Sequence, residues 1–311
     1  MTKVVLLGPQ GSSPTVRSTL DELELGGPIA VVTAGWEERE AEVDELATHV
    51  GREVCNLRLF TRAEAALERD PELATALREL NDRLRTLRIY YQLRLSNAMS
   101  AIRDLAERET PKHKQELDEE IEHALGAAHV LDQHHRQRSR DAFLSFDERM
   151  TPSHRDSIGR ARGKIRKELS RCKTLAIAGG HVAVLLGRMR LFVLDELIED
   201  QTIIAWSAGA MALTDQVVLF HDSPPQGRGD AEVLSEGLGL CPDVVALPHA
   251  RQRLLLDDPL RVSIMARRFA PSRCLALDKG SRAIWNGTSW TVAPGTRTLQ
   301  PDGSLHVGGI S

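Results

Sequence analysis

Apolar residues follow two rhythms along the chain, and the rhythm changes twice. The run Lys3-Val4-Val5-Leu6-Leu7-Gly8 is short and unbroken, which predicts a strand buried on both faces of a parallel sheet. Residues 29–33 and 53–60 repeat that pattern. Between them, 14–25 and 37–50 carry helical spacing, the first stopped by Gly26-Gly27-Pro28 and the second opened by an acidic turn. Strand and helix alternating at this spacing argue for a parallel sheet with helical crossovers.

From residue 61 to about 150 the strand signal disappears. Pro71 opens a helix expected to reach about residue 109, with Leu77, Leu80, Leu84, Leu87, Tyr91, Leu95 and Met99 recurring at three- and four-residue steps. Thr110-Pro111 breaks it, and 112–143 continues as a second helix with Leu117, Ile121, Leu125, Ala128 and Leu131 on one face. Two long helices joined by a tight turn form an antiparallel hairpin. Its apolar stripe needs cover, either from a second copy, giving a homodimer through the helical insertion, or from the chain's own body.

Past residue 151 the first rhythm returns. Residues 174–178, 202–206, 217–220 and 244–247 read as strands, 182–197 and 258–269 as helices. Three short strands follow at 274–277, 282–286 and 289–292, the last two joined by an Asn286-Gly287 turn. The expected fold is therefore α/β: residues 1–60 and 151–311 form one domain with a parallel sheet and helices on both faces, and 61–150 is an inserted helical hairpin.

Composition narrows the function classes. Of 311 residues 41% are apolar and 27% charged, an ordinary balance for a soluble globular chain. A net charge of -4 gives no reason to expect nucleic acid or an anionic membrane as partner. The basic helix around Arg160, Lys164 and Lys167 lacks the aromatic interleaving a nucleic-acid surface needs, and reads as a solvated face. No uninterrupted apolar run is long enough for a membrane span, and the short apolar N-terminus is too brief for a secretory core. Cys55, Cys172, Cys241 and Cys274 form no CxxC pair and read as free thiols in a reducing cytoplasm. On the hairpin, Glu119 and His123 stand four apart among other Glu and His residues, but no metal-ligand motif is present. The reading is a charged, solvated helix face, with no metal and no cofactor expected.

The stretch Ile203-Ile204-Ala205-Trp206-Ser207-Ala208-Gly209-Ala210-Met211 carries the candidate chemistry. Apolar residues end in a serine flanked by small residues, and helix formers follow. A nucleophile elbow needs that pattern, because the serine sits on a sharp strand-to-helix turn. A serine nucleophile also needs a base, an orienting acid and donors for an oxyanion. His249 follows a strand, Gly179-Gly180 ends another, and Asp222 lies in a loop fifteen residues past Ser207. All are expected at strand C-termini, where an open α/β sheet presents its functional crevice.

Gly179-Gly180 after a strand, Trp206-Ser207-Ala208-Gly209-Ala210, Asp222 and Pro248-His249 together resemble the aspartyl dipeptidase (peptidase E) and cyanophycinase family of serine peptidases. The resemblance is loose over 1–60, good over 153–292, and absent from 61–150. It implies a flavodoxin-like sheet of the class I glutamine amidotransferase type. It also implies Ser207 as nucleophile, His249 as general base, and the backbone N–H groups of Gly180 and Ala208 as oxyanion hole. Gly179, Arg251 and Arg253 would line the substrate, an arginine gripping a carboxylate. His181 stands where that family usually has a small polar residue, and either touches the substrate or fills the pocket. The implied substrate is a short acidic peptide or isopeptide, cleaved through an acyl-enzyme. A glutamine amidotransferase is disfavoured, because it needs cysteine where Ser207 stands.

Besides His181, a second position departs from that family. Its third triad member is a glutamate, and the matching segment here reads Leu277-Asp278-Lys279-Gly280, with Lys279 at the glutamate's place. Lysine cannot accept the hydrogen bond of a histidine Nδ1–H. Asp278 is one residue away, expected on the opposite face of a continuing strand, and Asp222 is the other candidate acid. The second reading is therefore an impaired peptidase-like module that binds or assembles through its helical insertion.

Overall fold

A computed structural model describes residues 2–11, 14–108, 111–220 and 229–308. Asp222 lies outside the described residues. The central sheet has seven strands. Five are parallel: β1 (Val4–Leu7), β2 (Ile29–Val32), β3 (Val54–Asn56), β4 (Thr174–Ile177) and β5 (Thr202–Trp206). They lie in the order β3-β2-β4-β5-β1. The first four places follow the flavodoxin winding, but the N-terminal strand β1 fills the fifth. The third strand is shorter than the apolar run 53–60 suggested, because the chain turns at Arg58 (φ 47°) and α3 (Leu59–Arg69) begins there.

Alternation of side chains explains why both faces are covered. Val5, Leu7, Val31, Ala176 and Ile204 point to one face, where α1 (Val16–Glu22) and α2 (Asp44–Val50) pack through Val16, Leu20 and Val50. Val4, Leu6, Val32, Leu175 and Ile203 point to the other, toward α3, α6 (Asp156–Leu169) and α7 (Val182–Leu191). The predicted helix over 37–50 is split. Residues Ala34–Arg39 form a 3-10 turn broken at Glu37, and α2 starts only at Asp44. The buried Glu40 carboxylate then accepts the N–H groups of Phe60 and Thr61, both at 2.8 Å, and so satisfies the otherwise orphaned donors that open α3.

The remaining strands complete the central sheet and build two further ones. β6 (Gln216–Leu219) and β7 (Glu232–Glu236) form an antiparallel pair. β8 (Val244–Pro248) and β9 (Arg273–Leu277) run parallel in a second sheet, separate from the central one. β10 (Arg282–Trp285) returns antiparallel to β1, and β11 (Trp290–Val292) lies outside it. β12 (Arg297–Leu299) and β13 (Leu305–Val307) complete the second sheet.

The insertion is a helical hairpin of α4 (Pro71–Ala106) and α5 (Lys114–Met150). Asp70 caps α4 through the Leu73 N–H at 3.1 Å and is gripped by Arg155, Nε at 2.5 Å and a second nitrogen at 2.7 Å. Those bonds hold the Asp70 carboxyl down at about 2 and fix the hairpin's base to the body. Leu80, Tyr91, Leu95 and Met99 of the predicted stripe are buried by α5 and the body, as are Leu125, Ala128 and Leu131 of α5. The stripe is therefore covered within one chain, and no second copy is needed to bury it. Farther along, Arg88 and Gln92 bind Glu232, Arg103 binds Asp230, and Arg267 of α10 (Pro259–Arg268) binds Glu122.

No described helix is long and apolar enough to cross a membrane. Among the described residues no cluster of His, Cys, Asp and Glu suits a metal ion. The four cysteines are unpaired; three are buried and Cys55 is half-buried.

Candidate active site

β5 delivers Ser207 with φ 52° and ψ -124°, and α8 (Ala208–Leu213) starts at the next residue. Side chains rarely adopt that backbone conformation, and such strain persists only where the surroundings hold it. Here they do. A Cβ on Gly209 would lie 2.3 Å from the Ile177 carbonyl oxygen, so only glycine lets α8 approach the end of β4. A Cβ on Gly179 would lie 2.8 Å from the Ser207 Cβ and 3.5 Å from its Oγ. The glycine pair after β4 thus lies directly against the serine. Ala208 N–H belongs to the first turn of α8, where helical N–H groups lack an intrahelical acceptor.

Gly180 is held in turn by the loop after β2. It has φ 118°, and a Cβ there would lie 2.2 Å from the Gly35 carbonyl oxygen. That same oxygen accepts the His181 N–H at 2.7 Å. Gly180→Ala is expected to destabilise the fold by more than about 1 kcal/mol, from the positive φ alone. Thermal unfolding of the variant checks this. His181 caps α7, its Nδ1 accepting the Val184 N–H at 3.3 Å, which gives that ring a structural task beside the elbow.

His249 follows β8 with φ 57° and ψ 32°, and its N–H donates to the Leu277 carbonyl at 3.1 Å. Although β8 belongs to the second sheet, the two sheets meet at this edge. The Asp278 carbonyl packs against Gly8, where a Cβ would lie 1.8 Å from its oxygen, and Gly8 N–H donates to Ser281 O at 2.9 Å. Gly8 directly follows Leu7, the register partner of Trp206. The C-terminal ends of β1, β5 and β9 therefore meet at one rim of the molecule, where His249 N–H bonds the last residue of β9. Among the described residues no hydrogen bond joins Ser207 Oγ to the His249 ring.

Asp278 does not continue a strand. β9 ends at Leu277, and Asp278 opens a turn in which its N–H donates to Ser281 Oγ at 3.1 Å. Its carboxylate thereby reaches the His249 loop instead of the opposite face. Oδ1 accepts the Arg251 N–H at 2.8 Å and Oδ2 accepts from Arg297 at 2.8 Å. Burial pushes the His249 pKa below its ordinary value, and the nearby Arg253 cation lowers it further. The Asp278 charge and a hydrogen bond with Gln252 act in the opposite sense. Arg251 and Arg253 are exposed on α9 (Ala250–Arg253), beside His249.

Two features of this rim have little or no sequence signature. Glu37, after β2, has φ 58° and ψ -123°, nearly the backbone of Ser207, but no flanking motif marks it. Arg297 lies in a short C-terminal strand, and only the fold shows that it meets Asp278. A cavity of about 490 Å³ lies elsewhere, between α5 and β6–β7, lined by Arg136, Arg140, Asp215 and Glu236 among others. It holds none of the elbow residues.

The sequence matches no protein-family model and no curated protein sequence. Two solved structures overlap it along most of its length. One is a peptidase from an acI-B1 Actinobacterium, 12% identical, covering 97% of this chain and 91% of its own, with a TM-score of 0.46. The other is a protein provisionally named peptidase E from Listeria monocytogenes EGD-e, also 12% identical, covering 94% and 98%, with a TM-score of 0.44. Overlap at this depth assigns the chain to no family and transfers no activity to it.

Proposed function

We propose that the chain is a serine-type hydrolase of short acidic peptides or isopeptides, of the peptidase E and cyanophycinase kind. The strained backbone of Ser207 at the β5–α8 turn, with Gly179 against its Oγ, is the observation that supports this most. In the proposed reaction His249 takes the Ser207 hydroxyl proton as Oγ attacks the substrate carbonyl carbon. The resulting oxyanion receives the N–H groups of Ala208 and Gly180. The C–N bond then breaks, His249 returns the proton to the departing amine, and water releases the acid from Ser207. Arg251 or Arg253 would hold a substrate carboxylate. Asp278 is the described acid whose charge acts on His249, and would orient the ring.

A fluorophosphonate probe tests the nucleophile. Labelling of the folded chain on Ser207, absent from Ser207→Ala, is the expected result; a folded wild type that takes no label rejects the proposal. The pH profile tests the base. His249 must be neutral to accept a proton, and its pKa lies below the usual histidine value of about 6.5. The acid limb of kcat/KM is therefore expected below that pH, with activity lost as pH falls through it. Arg253→Ala removes a lowering influence and should move the limb upward.

A second reading rests on Asp278. Its carboxylate already serves Arg251 N–H and Arg297, and Lys279 follows it where the resembling family has glutamate. A chain that labels at Ser207 yet turns over no Asp-containing dipeptide would be an impaired, peptidase-like binding module. In that case Lys279→Glu is expected to raise turnover.

A further inference from the structure

Helix α4 has two apolar faces. The inner one is spent on α5 and the body. The outer one carries Ile89, Tyr90 and Leu93, which are 56%, 63% and 68% exposed. Three large apolar side chains within about one helical turn, all facing water, form the kind of clustered patch that marks an interaction site.

The charges around the patch indicate what covers it. Arg83, Tyr90, Asn97 and Asp104 recur every seven residues and so share one seam of the helix. Arg83 and Asp104 are both exposed. Arg83 stands ten residues before Leu93 (93 − 83) and Asp104 eleven after it (104 − 93). A seam with a cation at one end, an anion at the other and Tyr90 and Asn97 between them presents opposite charges to itself when reversed. We propose that α4 pairs antiparallel with α4 of a second copy, about a two-fold axis near Leu93. Ile89, Tyr90 and Leu93 pack at the axis, and Arg83 of each copy meets Asp104 of the other. Such a contact is isologous, and it closes as a dimer without propagating.

The geometry allows the required size. The 36 residues of α4 span about 54 Å at 1.5 Å per residue, and Arg83 and Asp104 are about 31 Å apart along it. An antiparallel pair in contact over that length approaches the 800 Å² or so per partner of a standard interface. The hairpin is fixed to the body by the Asp70–Arg155 and Arg268–Asp132 ion pairs. The outer face is therefore presented in one orientation, which lowers the entropy cost of docking.

Sedimentation of the full chain across the micromolar range is the test, with circular dichroism to confirm that each variant folds. The wild type is expected to dimerise and Leu93→Glu to be monomeric. Arg83→Glu and Asp104→Arg alone each replace two attractive contacts by two repulsive ones, and should weaken the dimer about tenfold. The two substitutions in one chain restore both pairs and the affinity. A wild type that is monomeric throughout, a dimer indifferent to Leu93→Glu, or a double variant as weak as the single ones overturns the proposal.

Discussion

Asp132→Ala is expected to destabilise the chain by about 3–5 kcal/mol, because it strands an arginine charge in the interior. Arg268, only 1% exposed, holds Asp132 in a two-pronged bond, Nε to Oδ2 at 2.8 Å and a terminal nitrogen to Oδ1 at 2.7 Å. The other terminal nitrogen donates to the Ala231 carbonyl at 2.7 Å. Tyr91 completes the cluster. Its hydroxyl donates to Asp132 at 2.7 Å and accepts the Val233 N–H at 3.0 Å, and burial pushes its pKa well up so that it stays protonated. His135 stacks on the Tyr91 ring with centroids 4.2 Å apart. These groups come from α4, α5, α10 and the segment entering β7, so one substitution loosens the whole attachment of the hairpin. Arg268→Met combined with Asp132→Leu should cost much less than either change alone, since no charge is then left unpaired. Urea unfolding midpoints at constant slope measure the difference.

Ser207→Ala is expected to lower kcat for hydrolysis of an Asp-containing dipeptide by about 10⁶-fold, the scale seen when the nucleophile of a serine protease is removed. Stability should change little or rise, because the hydroxyl makes no hydrogen bond among the described residues. The strained backbone remains in the variant, so a measured gain in stability would isolate the hydroxyl's own desolvation. A variant that keeps more than a few per cent of the activity would move the chemistry away from the elbow. Steady-state kinetics on folded protein decide between these outcomes.

The elements were legible where the apolar rhythm was strong. Unbroken runs such as Val4-Val5-Leu6-Leu7 marked buried strands, and the Pro71 start and Leu80–Met99 spacing marked a long helix. The elbow was legible as the small residues Ala208, Gly209 and Ala210 after Ser207, because close approach of β4 leaves no room for a side chain at Gly209. What covers the hairpin's stripe was not legible. Periodicity shows that a face is apolar, whereas its cover comes from α5 and from distant parts of the body, among them α10, whose Arg268 lies 136 residues beyond its partner Asp132. The acid near His249 was misplaced for a local reason. The strand stops at Leu277, so the rule of alternating faces no longer applies to Asp278. Asp222, the other acid expected from the sequence, lies outside the described residues.

β1 lies inside the central sheet, paired on one side with β5 near residue 203 and on the other with β10 near residue 284. During synthesis β1 must therefore wait first for β5 and then for β10, both far later in the chain. The packing of α4 on α5, by contrast, lies within residues 71–150, so that pairing can form early on the ribosome while β1 has no neighbour, and its attachment to Glu232 and Arg268 follows later. Until β5 emerges the apolar β1 has no sheet neighbour, and one of its edges stays open until Arg282 has left the ribosome.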